Sequence, residues 1–285
     1  MSYWVAVVAK NAAEHLQSTL DSLLSQTLRS ERVIIVDDGS ADATPEIIAR
    51  YRREHPKRVS CVTLPDKGYD IRRVPRNINY AWKTAETKGL RTDYFMISGD
   101  DCTYQSNYAE MLVSRMDSLP SLVVTSGQHS SAANALEEHV PSGSGRMVRC
   151  SFWREIGGEY PVKAGWESWL LHRALEKGLD VKLFSEVTFE HVRPRGARHQ
   201  FVYWGAAMYT LGYHPLYAMG RIAKNTLLRT MPMRGSMNML RGYLQARLGS
   251  SDAFISPFEF SFRNFVRREQ LQQIRKLVIK LLRTN

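Results

Sequence analysis

Val33-Ile34-Ile35-Val36-Asp37-Asp38-Gly39-Ser40 and Tyr94-Phe95-Met96-Ile97-Ser98-Gly99-Asp100-Asp101 repeat one pattern, a short apolar run that ends in a pair of aspartates. Such a run reads as a strand buried on both faces, as in a parallel sheet. The acidic pairs then fall where strand gives way to loop, the rim at which open parallel sheets bind their ligands. Two carboxylate pairs on one rim suit a divalent cation and a polar, phosphate-bearing ligand better than they suit packing.

The flanking sequence continues the alternation. Residues 3–8 read as a strand, and Leu16, Leu20, Leu23, Leu24 and Leu28 share one helical face. After the first acidic pair, Thr44-Pro45 reads as an N-cap followed by an N1 proline, opening a helix through Ile47, Ile48 and Tyr51. A strand over 59–64 and a helix with Ile78, Ala81, Trp82 and Ala85 lead to the strand over 94–98. This order predicts an α/β fold built on a doubly wound, mainly parallel sheet flanked by helices. Further on, Ser142-Gly143-Ser144-Gly145 reads as a flexible loop, and residues 150–158 as a short strand, a helical turn and a glycine stop. Residues 166–177 read as a helix closed by Gly178 at C′, and 181–184 and 187–189 as two strands ending at Glu190-His191.

At 285 residues and 44% apolar, the chain can build a sizeable core. Its three cysteines, Cys61, Cys102 and Cys150, are odd in number and widely spaced, which fits neither a disulfide framework nor a zinc site. The first residues read directly as a strand rather than as a signal segment, and a cytoplasmic location is expected. The net charge of +11 is unevenly spread. From His191 onward there are 16 Lys/Arg against three Asp/Glu, and no acidic residue lies between Glu190 and Asp252. A catalytic domain over 1–198 and a basic, aromatic helical region over 199–285 are expected. Phe201 to Gly220 lacks any charged residue but contains His214, Pro215 and several glycines and tyrosines, too polar and broken for a membrane span. Near the end, Leu271, Ile274, Leu277, Val278 and Leu281 fall on one helical side, with Arg275, Lys276, Lys280 and Arg283 over much of the rest. That pattern predicts a helix lying on an anionic membrane surface, on its inner, cytoplasmic face. Nucleic acid is not expected as a partner, because no reading motif is present.

Taken in order, Val36-Asp37-Asp38-Gly39-Ser40, Arg76-Asn77, Gly99-Asp100-Asp101, Ile156-Gly157-Gly158, Trp166-Glu167 and His191 resemble family 2 glycosyltransferases. Val8-Ala9-Lys10-Asn11 and Ser22-Leu23-Leu24-Ser25-Gln26-Thr27 also look like that family. Any single motif is weak; the ordered set, over about residues 3–195, is specific. The family consists of inverting, nucleotide-sugar-dependent enzymes of GT-A fold. The resemblance implies that Asp37 and Asp38 bind nucleobase and ribose, with Ala9 and Asn11 lining the same pocket. It also implies a donor or diphosphate contact from Arg76. Asp101 would meet Mg2+ or Mn2+, Asp100 the ribose or a metal-bound water, and His191 the metal or the diphosphate. The family's Asp-X-Asp motif begins here with Gly99. Glu167 takes the place of the second acid of the family's Glu-Asp pair, and Trp166 that of the first, so Glu167 is the expected catalytic base.

Each of these residues also has a plainer role open to it. Asp38-Gly39-Ser40 makes a turn, Glu167 suits a first helical turn, and His191 suits a surface. Trp153 and Trp166 can stack on a sugar or pack in the core. Arg72 and Arg73 read as solvated charge, while Arg193, Arg195 and Arg198 are candidates for phosphate contacts. The processive-synthase motif Gln-X-X-Arg-Trp is absent, since no tryptophan follows Trp204. Transfer of one sugar to a lipid-linked or glycan acceptor is therefore expected. A sugar nucleotidyltransferase and a non-catalytic membrane-binding protein that keeps the fold are the competing readings.

Overall fold

The computed structural model describes residues 1–130, 140–193, 201–228, 232–249 and 251–283, with side chains through 275 and at 279. The chain forms two compact units, one of Met1–Tyr160 with Lys177–Ala197, the other of Pro161–Glu176 with Arg198–Asn285.

The first unit is built on an eight-stranded mixed sheet. Its strands are β1 (Tyr3–Ala9), β2 (Val33–Asp37), β3 (Val59–Thr63), β4 (Tyr94–Ser98), β5 (Cys102–Tyr104), β6 (Leu122–His129), β7 (Arg146–Arg149) and β8 (Asp180–His191), in the order β3-β2-β1-β4-β7-β6-β8-β5. β1 runs parallel to β2 and β4, and β2 parallel to β3. β7 is antiparallel to β4 and β6, and β5 to β8. β1, β2 and β4 carry the near-continuous apolar runs and are buried almost throughout.

Helices α1 (Leu16–Leu24), α2 (Thr44–Glu54), α3 (Val74–Thr87), α4 (Tyr108–Ser118) and α5 (Cys150–Glu155) complete this unit. Successive β1 side chains face opposite sides of the sheet. Tyr3, Val5 and Val7 join a core with Leu16, Leu20 and Leu23 of α1 and Leu112 of α4. Trp4 stacks on Phe95 and meets Trp82, and Trp153 sits edge-on to both Phe95 and Trp82. Trp153 is thus a core residue, wholly buried, and the sugar-stacking role open to it in sequence is withdrawn.

Three further expectations are corrected. Thr44 is not the N-cap of α2, since Ala43 occupies that position. Its amide is taken by Asp42, and its hydroxyl accepts from Ala12 N at 2.8 Å, a tie to the segment after β1. The two short strands expected over 181–189 are one twelve-residue strand, β8, whose pairing with β6 shifts register between Gly127 and Gln128. The short strand expected to open at Cys150 lies just before it, in β7.

The second unit holds α6 (Trp166–Glu176), α7 (Phe201–Thr210), α8 (Pro215–Leu227), α9 (Met233–Leu248) and α10 (Phe260–Arg283). It takes in α6 as well as the region after 198. Trp166 packs against a cluster of Ala164, Ala206, Ala246 and Phe254. The uncharged run 201–220 folds as α7, a break at Gly212 and the start of α8. No described helix is long and apolar enough to cross a membrane. Phe262 and Val266 of α10 are fully buried, whereas Leu271 is exposed. The side chains of Lys276, Leu277, Val278, Lys280, Leu281 and Arg283 lie outside the described residues.

α7 and α9 cross with their backbones nearly touching. A Cβ at Gly205 would meet the Met239 carbonyl oxygen at 1.8 Å, and one at Gly242 the Val202 oxygen at 1.9 Å. Gly220, in α8, has nothing within 4 Å. Gly205→Ala and Gly242→Ala are each expected to lower stability by about 1–3 kcal/mol through overpacking, while Gly220→Ala raises it by about 0.5–1 kcal/mol. Thermal denaturation followed by circular dichroism checks the contrast; equal effects at the three positions would refute the close crossing.

Candidate active site

The C-terminal ends of β1, β2 and β4 lie side by side, with Ala9 opposite Asp37 and Val7 opposite Ser98. Asp38 N donates to Ala9 O at 2.9 Å, and Lys10 N donates to the Asp100 carboxylate at 3.1 Å. The two acidic pairs, far apart in sequence, thus flank the end of one strand. The Lys10 side chain, 8% exposed, donates to Asp38 O at 3.1 Å, Gly39 O at 2.5 Å and the Asp66 carboxylate at 2.5 Å. Gly39 has φ +73°, and a Cβ there would meet Asp66 N at 2.4 Å, so the close approach requires glycine.

The first pair divides its work. Asp37 Oδ1 accepts from both the amide and the hydroxyl of Ser40, which makes Asp37 the brace of the turn. Asn11 is the one non-glycine residue among those described with positive φ, at 47°, a conformation asparagine tolerates. Its amide donates to Ser40 Oγ and its Oδ1 accepts from Ala41 N, both at 2.9 Å. Asp38 forms an ion pair with Arg73 and a hydrogen bond with the Asn77 side chain. Burial pushes the Asp38 carboxyl up, against the pull of Arg73, Asn77 and Lys10.

Arg73, read in sequence as solvated charge, is therefore part of the rim; Arg72 pairs locally with Asp70. Arg76 is exposed in the first turn of α3. Asn79, on the same helix, exchanges two hydrogen bonds with the Tyr160 backbone, which gives it a fold-holding role.

At the second pair, Asp101 Oδ1 lies 3.5 Å from His191 Nδ1. The pairing of β5 with β8 sets Cys102 opposite His191 and so brings the histidine to the acidic loop. Arg193 lies 3.5 Å from an oxygen of each aspartate. Burial alone would raise the Asp101 carboxyl, but His191 and Arg193 hold it below the usual carboxylate range. Asp101, Cys102 and His191 offer ligand atoms within 4.8 Å of one another. Burial and the neighbouring Asp101 push the Cys102 thiol up to about 12. Mg2+ and Mn2+ prefer oxygen and imidazole ligands, and the donor set that fits them is Asp101 with His191. A Cβ at Gly99 would sit 2.9 Å from Asp101 Oδ1, so the bare glycine leaves that carboxylate its place.

Sequence reading missed Lys10, Arg73, Cys102 and His129. His129 is buried, accepts from His191 N through Nε2 at 3.1 Å and stacks on the His191 ring at 5.0 Å. It orients the candidate ligand. Glu167 is exposed in the first turn of α6, in the second unit. Arg195 and Arg198 lie outside the described residues.

Residues 4–179 match the family model of glycosyl transferase family 2. No curated protein matches the chain in sequence. Among solved structures, the chain is similar to residues 1–349 of TarS from S. aureus in complex with UDP-GlcNAc, at 15% identity and a TM-score of 0.56. That likeness covers 73% of this chain and 64% of that one. It is also similar to the mannosyltransferase PcManGT from Pyrobaculum calidifontis in complex with GDP-Man and Mn2+, at 14% identity and a TM-score of 0.59, over 99% of this chain and 88% of that one. The chain spans less than two thirds of the TarS chains it matches.

Lys10 is the anchor of the rim. Lys10→Met, which keeps the stem and removes the ammonium, leaves two carbonyls and Asp66 without their donor. It is expected to lower stability by about 1–3 kcal/mol, read from the midpoint of urea unfolding. An unchanged midpoint would remove Lys10 from this role.

Proposed function

The chain belongs to glycosyl transferase family 2, and from that premise we propose that it moves one sugar, with inversion, from a nucleoside-diphosphate sugar to an acceptor at a membrane surface. The observation that carries this reading is the meeting of both acidic pairs at the end of β1, through Ala9 O with Asp38 N and Lys10 N with Asp100.

In this proposal Asp38, with Asp37, Ala9 and Asn11 behind it, receives the nucleoside. Asp100 meets the ribose or a metal-bound water, and Arg76 and Arg193 meet the diphosphate. Asp101 and His191 would hold Mg2+ or Mn2+, which when bound would supply positive charge to the departing diphosphate. The acceptor oxygen attacks the anomeric carbon from the face opposite the leaving group. The bond from that carbon to the diphosphate breaks, the electron pair leaves with the nucleoside diphosphate, and Glu167 takes the acceptor's proton. The base role of Glu167 rests on the family resemblance alone.

The expected results are separable. Glu167→Gln lowers turnover at least a hundredfold with donor affinity unchanged, since a general base contributes roughly 10²–10⁴-fold. Asp101→Asn weakens Mn2+ binding at least tenfold by calorimetry, with or without turnover. Full activity in Glu167→Gln would remove that residue as base, and unaltered Mn2+ affinity in Asp101→Asn would remove the metal assignment.

The membrane reading draws support from the second unit. Leu216, Leu227 and Leu248, on α8 and α9, are each at least 70% exposed, in a stretch free of acidic residues. We propose peripheral attachment through these side chains and the surrounding arginines, on the cytoplasmic face and beside a lipid-linked acceptor. Each leucine taken from water contributes about 1.5–3 kcal/mol. Replacing all three with serine should lower flotation with anionic vesicles more than tenfold, while equal flotation would sink the idea. Deleting residues 252–285 is the poorer test, because it removes the buried Phe262 and Val266.

A further inference from the structure

We propose that the second unit carries a binding site for a phosphate ester, in a cavity among α7, α8, α9 and α10. The cavity measures about 500 Å³ and is lined by Arg247, Arg263 and Arg267 together with Tyr209, Tyr213 and Tyr243. Among the described residues no carboxylate lines it. Among the described residues none of the three arginines forms an ion pair. Cations gathered around one space repel each other unless an anion joins them.

Two of the arginines, Arg263 and Arg267, are held rather than loose. Arg263 lies over the Tyr209 ring, 5.1 Å from its centre, and donates to Tyr209 O at 3.2 Å. Its Nε is buried with no hydrogen-bond partner among the described residues. Arg267 Nε donates to Gly212 O at 3.0 Å. Gly212 has φ +86°, and a Cβ there would meet the Cβ of Arg263 at 2.5 Å. The turn between α7 and α8 thus presses on α10 and fixes where its arginines stand.

One further donor comes from the start of α8. His214 N donates to the buried Gln270 at 2.9 Å, and His214 Nδ1 accepts from Leu216 N at 3.3 Å. In the neutral ring the proton is then on Nε2, a donor at the cavity wall. The positive end of a thirteen-residue helix adds to it.

Guanidinium groups with a helix N-terminus and an imidazole N–H recognise phosphate. A bare phosphate would leave most of the space unfilled; ligand sites of this size hold an organic group as well. The three tyrosines in the lining offer aromatic surface to that group. The ligand class is therefore a phosphate ester, either free in solution or as a lipid headgroup. This inference does not rest on the transfer reading, and inactivity of the enzyme would leave it standing.

The test titrates phenyl phosphate, pyrophosphate and inorganic phosphate into the full chain by calorimetry at low salt. A parallel arm measures co-sedimentation with vesicles of phosphatidylcholine, with and without phosphatidic acid. Saturable binding is expected, tightest for phenyl phosphate among the soluble probes if the source is free, or confined to phosphatidic acid vesicles if it is a headgroup. Arg263→Gln and Arg267→Gln should each weaken it roughly tenfold, as loss of a charge-assisted hydrogen bond does. Arg247→Gln, at an exposed position, should weaken it severalfold with the fold intact by circular dichroism. It carries the test should the α10 variants not fold. Lys224→Gln removes the same charge away from the cavity and should leave binding unchanged. The proposal is overturned if no probe binds saturably, if the arginine variants bind as the parent does, or if Lys224→Gln weakens binding equally.

Discussion

Three residues at the end of β1 hold both acidic loops at once. Ala9 receives the amide of Asp38, Lys10 gives its amide to Asp100 and its ammonium to the loop after Asp38, and Asn11 braces Ser40 and Ala41. A buried ammonium is costly unless surrounded by oxygen, so Lys10 fixes where those carbonyls lie. Four aspartates near one strand end would repel each other. The fold answers with one cation for each part of the rim: Lys10 under the first loop, Arg73 on Asp38, and Arg193 between Asp100 and Asp101.

The two pairs are tuned apart. Burial raises the carboxyl of Asp38, while His191 and Arg193 lower that of Asp101. Separated in this way, identical side chains take different tasks. A carboxyl in the state of Asp38 suits hydrogen bonds to the polar edge of a ligand. One held as firmly anionic as Asp101 suits a cation. The proposed division between nucleoside and metal follows that difference.

Sequence patterns revealed what depended on local chemistry. The apolar runs of β1, β2 and β4 could be read because central parallel strands are buried on both sides. β7, with Arg146 and Arg149 at its ends, gave no such signal, and the interrupted apolar pattern of β8 read as two short strands rather than one; their pairing is set by neighbours distant in sequence. The acidic pairs and His191 were legible because the ordered motifs resemble a family. Arg73 was not, because an arginine in a loop looks the same whether it meets water or Asp38. His129 and Cys102 became visible only once β8 lay between β6 and β5, a register that no local pattern encodes. The N-cap misreading at Thr44 has the same origin, since that hydroxyl serves Ala12 across a tertiary contact.

The second unit explains the uncharged run that sequence showed to be too polar and broken for a membrane span. The run 201–220 is free of charge because α7 passes so close to α9 that Gly205 and Gly242 admit no side chain, and because Ala206, Met208 and Leu211 are buried. Packing within the unit accounts for the buried part of the run, and Leu216 stays exposed at the start of α8. The same logic turns the surrounding basic charge into a question of where each arginine stands. Arg173 is paired with Glu176 and Glu259, which settles it as structural. Arg247, Arg263 and Arg267 border a shared cavity with no carboxylate lining it among the described residues. Net charge alone would attract any anion; charge gathered around a concave space lined with aromatic rings selects one that has both a phosphate and a body to fill it.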